Sequence, residues 1–126
     1  MKILLDTTVF IKWIHGEAVP NRVKRTIGKS TTEILVSIIT PWEIALKAGI
    51  GKLAITSAQV QHYVGQIGAK LLPITVEHVA QLYDLPQHHN DPFDRMLIAQ
   101  ALAERVALVS NDERFSLYKG LNVLWR

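Results

Sequence analysis

The chain has 126 residues, 48% of them apolar, which suits one domain with its own core, and it has no cysteine, which excludes disulfides and thiolate metal centres. Lys and Arg total 14 against 11 Asp and Glu; the surplus of +3 permits an anionic partner without demanding one. No run approaches the roughly 20 apolar residues that span a bilayer, and the opening Met1-Lys2-Ile3-Leu4-Leu5-Asp6 turns acidic too soon for a signal peptide, so a cytoplasmic protein without membrane contact is expected.

Strand-like and helix-like segments alternate along the chain. Lys2–Asp6 reads as a buried strand, a short apolar run reaching a polar stop. Thr7–His15 follows as a helix with an apolar stripe of Val9, Phe10, Trp13 and Ile14. Pro20–Lys29 is a short basic helix, and Glu33–Ser37 a second strand. Thr40–Ile50 has helix signals at both ends: Thr40 as N-cap, Pro41 in the first turn, Glu43 completing a capping box, Gly49 and Gly51 at the exit. Thr56–Ala69 is amphipathic, Leu71–Ile74 is a third strand, and Val76–Leu85 is a helix stopped by Pro86. Asp91–Arg105 is the longest clear helix; Ala107–Ser110 and Asn122–Trp125 complete a set of about five strands. Strands separated by helices pair in parallel through crossovers, so the expected fold is one α/β domain, a three-layer α/β/α sandwich with a mainly parallel sheet. Sites in such sheets lie beyond the carboxyl ends of the strands.

Four acids fall at that rim. Asp6 ends the first strand, Glu43 enters the helix after the second, Asp94 lies in the first turn of the long helix, and Asp112 follows the fourth strand. Each has an ordinary explanation as a helix cap, since a carboxylate at a helix N-terminus gains about 0.3–1 kcal/mol. As a set they have another. Carboxylates that converge repel, and a fold tolerates this best when cations fill the gap or some of the acids are protonated. An oxygen-only donor set selects hard ions such as Mg²⁺ or Mn²⁺.

The same residues carry a resemblance. From Leu4-Leu5-Asp6-Thr7 to Ser110-Asn111-Asp112-Glu113-Arg114-Phe115 the sequence resembles a PIN domain of the VapC-like toxin type, most specifically in Asp91-Pro92-Phe93-Asp94-Arg95-Met96-Leu97-Ile98-Ala99-Gln100-Ala101. The resemblance implies an α/β/α nuclease that cleaves RNA with Mg²⁺ or Mn²⁺ held by Asp6, Glu43, Asp94 and Asp112. It also implies an antitoxin partner that covers the groove and carries operator DNA contact, and a homodimer. The matching small polar residues are Thr7 and Ser110; with Asn111 they are candidates for orienting the carboxylates, although Asn111 is equally explained as a turn residue.

Other residues stay open between substrate contact and ordinary packing. Arg95 either clamps a phosphate or pairs with Asp91 or Glu43. Asp91 is a cap or a secondary ligand. His88 and His89, adjacent in a polar loop, are expected to be solvated. Arg22, Lys24, Arg25 and Lys29 either follow an RNA backbone or form a solvated helix face. Trp42, beside Glu43, is the best base-stacking candidate of the three tryptophans. A receiver-like signalling domain requires an acid ending the third strand, where this chain has Leu72-Pro73-Ile74-Thr75, and a dehalogenase-type phosphatase requires Asp at position 8, which is Thr8. The remaining alternative is a non-catalytic partner in an antitoxin–operator complex.

Overall fold

A computed structural model describes residues 1–126. Its elements in chain order are β1 (Lys2–Leu5), α1 (Thr7–Ile14), α2 (Asn21–Gly28), β2 (Glu33–Ser37), α3 (Ile39–Gly49), α4 (Ser57–Gln66), β3 (Lys70–Leu72), α5 (Val76–Tyr83), α6 (Pro92–Glu104), β4 (Ala107–Val109), a 3-10 turn (Glu113–Leu117) and β5 (Val123–Leu124). The five strands form one sheet in the order β3-β2-β1-β4-β5, and every pair is parallel.

The three layers follow from side-chain alternation along the strands. Ile3 and Leu5 of β1, with Ile34, Val36, Ala107 and Val109, face a core built with Val9 and Phe10 of α1, Val23 and Ile27 of α2, and Val60 and Val64 of α4. Leu4, Leu35 and Leu108 face the other way, onto Leu97, Ile98 and Ala101 of α6, with Leu85, Phe115 and Tyr118. Strands buried on both faces need unbroken apolar runs, which Ile3-Leu4-Leu5 and Ile34-Leu35-Val36 supply. Helix α3 contributes Ile44 to one core and Ile39 to the other, so it crosses the sheet's edge. On the second face, His78 of α5 is fully buried and reaches Glu104 of α6 at 2.7 Å. No helix is long and apolar enough to cross a membrane.

One local expectation is corrected. Helix α3 begins at Ile39, so Thr40 lies inside it and is not its N-cap. The Ser37 hydroxyl instead accepts the Ile39 N–H at 3.0 Å. Thr40 is fully buried, its hydroxyl 3.0 Å from that of Thr7 on α1. The capping-box reading of Glu43 therefore falls away, and its carboxylate is free for another role.

Candidate active site

The strand order sets the position of the site. The chain starts at the centre with β1, adds β2 and β3 to one side, then returns to add β4 and β5 to the other. Between β1 and β4 the connections diverge, leaving a crevice at the carboxyl ends. Asp6 follows β1 there, and its backbone N–H donates to Val109 of β4 at 3.0 Å. Ser110 and Asp112 follow β4; the Asp112 N–H donates to the Ser110 hydroxyl at 3.1 Å.

Asp6 is buried, and one of its oxygens caps α1 by accepting the Val9 N–H at 2.7 Å. Burial pushes its carboxyl up to about 6; hydrogen bonds from Ser110 and Val9 act against that, while the charges of Asp112 and Glu43 add to it. Asp94, half-buried in the first turn of α6, is pushed up to about 7, first by burial and then by the charges of Asp91, Asp6, Glu43 and Asp112. The fields of acids from three other segments, and of its own helix cap Asp91, thus meet at Asp94.

The flanking cations explain the rest of the geometry. Glu43 is buried on α3; its Oε2 lies 3.0 Å from the Lys47 ammonium one turn on, while its Oε1 is buried with no hydrogen-bond partner. Arg114 grips Asp112 with both arms, Nε to Oδ1 at 3.0 Å and Nη2 to Oδ2 at 2.6 Å, which holds the Asp112 carboxyl below its ordinary value. Asp112 also caps the 3-10 turn by accepting the Arg114 N–H at 3.0 Å. Lys47 and Arg114 draw two carboxylates sideways, and no three His, Asp or Glu side chains close on a single point.

Asp91 is a cap: its Oδ1 accepts the N–H groups of Phe93 (2.9 Å) and Asp94 (3.1 Å). Arg95 meets neither Asp91 nor Glu43; it turns back to donate to the carbonyls of Pro86 (2.8 Å) and Leu85 (3.2 Å). Thr7 is occupied by Thr40. Asn111 is exposed in a groove of about 440 Å³ that Ser110, Asp112, Glu113 and Arg126 also line. Arg22 donates to the Arg126 carbonyl at 2.8 Å, which brings the start of α2 to that groove, and Lys24, Arg25 and Lys29 project from exposed positions. Trp42 is half exposed and packs edge-to-face on Phe93, ring centres 5.2 Å apart, so an aromatic pair adjoins Glu43 and Asp94.

The histidine loop departs from expectation. His88 is exposed, but His89 is buried, because its ring lies between Phe115 and Tyr118 and its Nδ1 is 2.7 Å from the Tyr118 hydroxyl. Sequence reasoning missed Lys47, Arg114 and Tyr118. The first had a signal in its spacing, four residues after Glu43 on one helix face.

Fold and rim together define a class: a small parallel α/β domain whose switch point carries acids from four separate segments. The PIN domain family model matches residues 3–121, and the chain belongs to that family. At the level of sequence, no curated protein gives a significant match. Solved structures give clear fold likenesses. One is VapBC2 from Rickettsia felis bound to a promoter DNA fragment, at 17% identity and TM-score 0.74 over 100% of both chains. DNA-bound VapBC from Salmonella typhimurium has 19% identity and TM-score 0.73 over 98% of this chain and 97% of that one. VapBC-5 from Mycobacterium tuberculosis, a member of a toxin–antitoxin family, has 15% identity and TM-score 0.64 over 99% and 98%.

Proposed function

We propose that the protein is a Mg²⁺- or Mn²⁺-dependent endoribonuclease, the toxin of a toxin–antitoxin pair. The observation that carries this reading is the position of Asp6, Glu43, Asp94 and Asp112, from four separate segments, at the carboxyl rim of one parallel sheet; burial, then the charges of Asp91, Asp6, Glu43 and Asp112, push the Asp94 carboxyl up to about 7. A cluster that resists full ionisation on its own accommodates a divalent cation. The buried, unpartnered Oε1 of Glu43 and the all-oxygen donor set fit a hard ion.

Asp6 and Asp94 would hold the ion, with Glu43 beside them, and Asp112 would join once its carboxylate turns from Arg114, since the acids do not converge on one point while that pair is made. The chemistry such an ion supplies is neutralisation of phosphate charge and a lowered pKa for water. Ser110 orients Asp6. The free Oε1 of Glu43 would orient the attacking water toward phosphorus and take its proton while Lys47 fixes the other oxygen; the P–O3′ bond breaks as the new P–O bond forms, and the departing 3′-oxygen takes a proton from solvent. Hydrolysis in this sense leaves a 5′-phosphate and a 3′-hydroxyl. Trp42 on Phe93 offers a face for an unpaired base, and Arg22, Lys24 and Arg25 offer charge for the backbone.

The likeness to chains from VapBC complexes supports a cognate antitoxin as partner; operator DNA would be reached through that partner, and the setting would be cytoplasmic. A homodimer would use the apolar cleft of about 340 Å³ lined by Ile39, Trp42, Ile74, Leu82, Phe93 and Met96, and Trp42 would then serve the subunit contact in place of a base. The deciding experiment incubates purified protein with RNA and single-stranded DNA. Cleavage of RNA that needs Mg²⁺ or Mn²⁺ and stops with EDTA supports the reading; metal-independent cleavage, or none of RNA, overturns it.

A further inference from the structure

The loop before α6 holds a buried imidazole that the reaction scheme leaves unused. His89 is 6% exposed, and its Nε2 is buried without a hydrogen-bond partner. That nitrogen faces Asp94 Oδ2 at 3.7 Å, within ion-pair reach and just beyond hydrogen-bond length. The other ring nitrogen is anchored 2.7 Å from the Tyr118 hydroxyl. A carboxylate opposite Nε2 calls for the ring proton on that atom, which leaves Nδ1 to accept the Tyr118 O–H. Phe115 and Tyr118 clasp the ring, and both belong to the segment that Asp112 opens. The backbone is pinned as well: Arg95, the residue after Asp94, donates to the carbonyls of Leu85, Pro86 and, at 3.5 Å, His89 itself.

We infer that His89 is a positioning residue for Asp94: when the 3.7 Å gap closes on metal binding, Nε2–H donates to Oδ2 and leaves Oδ1 for the ion, with Tyr118 fixing the tautomer and Arg95 fixing the loop. A buried donor with no other partner gains most from this contact, because an unmade hydrogen bond at that depth is costly. The arrangement also ties α6 to the segment following Asp112, so two acids from distant parts of the chain share one brace. His89 acts in this way only if Asp94 holds a divalent ion, as proposed above.

Two isosteric amides separate the ring nitrogens. In His89→Gln the amide nitrogen falls near Nε2 and keeps a donor toward Asp94; in His89→Asn it falls near Nδ1 and does not. Mn²⁺ affinity is measured by calorimetric titration on the full chain without substrate, with melting temperature recorded for each variant. The expected result is a loss of about 10–100-fold in Mn²⁺ affinity for His89→Asn, the range typical of residues that orient a metal ligand, and within about threefold of wild type for His89→Gln. Tyr118→Phe, which keeps the ring packing, should fall between them. Equal affinities for the Asn and Gln variants, whether both retained or both lost, overturn the inference while leaving the metal site standing. Absence of Mn²⁺ binding by the wild type removes the metal reading, and this inference with it.

Discussion

The hydroxyls of Thr7 and Thr40 meet at 3.0 Å in a buried seam between α1 and α3, bridging 33 residues of sequence. One follows Asp6 and the other precedes Glu43 by three residues, so this bond sets how the first and second acids approach. Thr40→Val should leave the Thr7 hydroxyl buried and unpaired, at a cost of about 1–3 kcal/mol. The double variant Thr7→Val/Thr40→Val should cost less than the two single variants added together. Urea unfolding of the four proteins measures the coupling.

Asp94→Asn should lower RNA cleavage by about 10²-fold or more, the scale of losing several kcal/mol of charge stabilisation. The same variant should melt a few degrees higher than wild type at pH 8 without metal, because it removes a carboxylate disfavoured by burial and by four neighbouring acids. A variant that is inactive and also less stable would mean Asp94 is needed for the fold.

The pH dependence follows from the two raised carboxyls. Asp6 at about 6 and Asp94 at about 7 stand above their ordinary value of 3.8. Between those values the folded chain binds more protons than the unfolded one, so these groups lower stability as pH rises from about 4 to about 7, with no further change above. His89, held below its ordinary value by burial and by Arg114, acts in the opposite sense on acidification. The difference in melting temperature between Asp94→Asn and wild type isolates one contribution; it should widen from pH 5 to pH 8 without metal. Saturating Mg²⁺ should flatten it.

Arg114 satisfies both oxygens of Asp112, so it competes with any cation for that carboxylate. Arg114→Gln should bind Mn²⁺ several-fold more tightly at equal pH. Calorimetry decides this, and weaker binding would instead make Arg114 part of what holds the site together.

Trp42→Ala removes an exposed ring next to the acids. If bases stack on it, the KM for RNA should rise about 5- to 150-fold, in line with about 1–3 kcal/mol per stacked base, with kcat little changed. An unchanged KM with a lost dimer in sedimentation would assign the ring to the subunit contact.

The parallel sheet and its acidic rim could be read from the chain because both depend on short-range pattern. Ile3-Leu4-Leu5-Asp6 shows an apolar run and its polar end within four residues. Other features depended on residues far apart. Thr40 looked like a cap locally, yet Ser37 caps the helix and Thr7 takes the Thr40 hydroxyl. His89 looked solvated because its loop is polar, yet rings 26 and 29 positions later enclose it. Arg95 had Asp91 and Glu43 as candidate partners, and instead binds loop carbonyls six to ten residues before it. In each case tertiary packing overrode the local preference.

The central strand β1 precedes its neighbour β4 by about a hundred residues, with Ile3 opposite Ala107. Until that late strand docks, Asp6 and Asp112 cannot share a rim. The acidic rim is therefore a late product of folding: it is complete only once residues 107–112 lie beside the first strand, and a chain cut short before them would keep Asp6 without its neighbour Asp112.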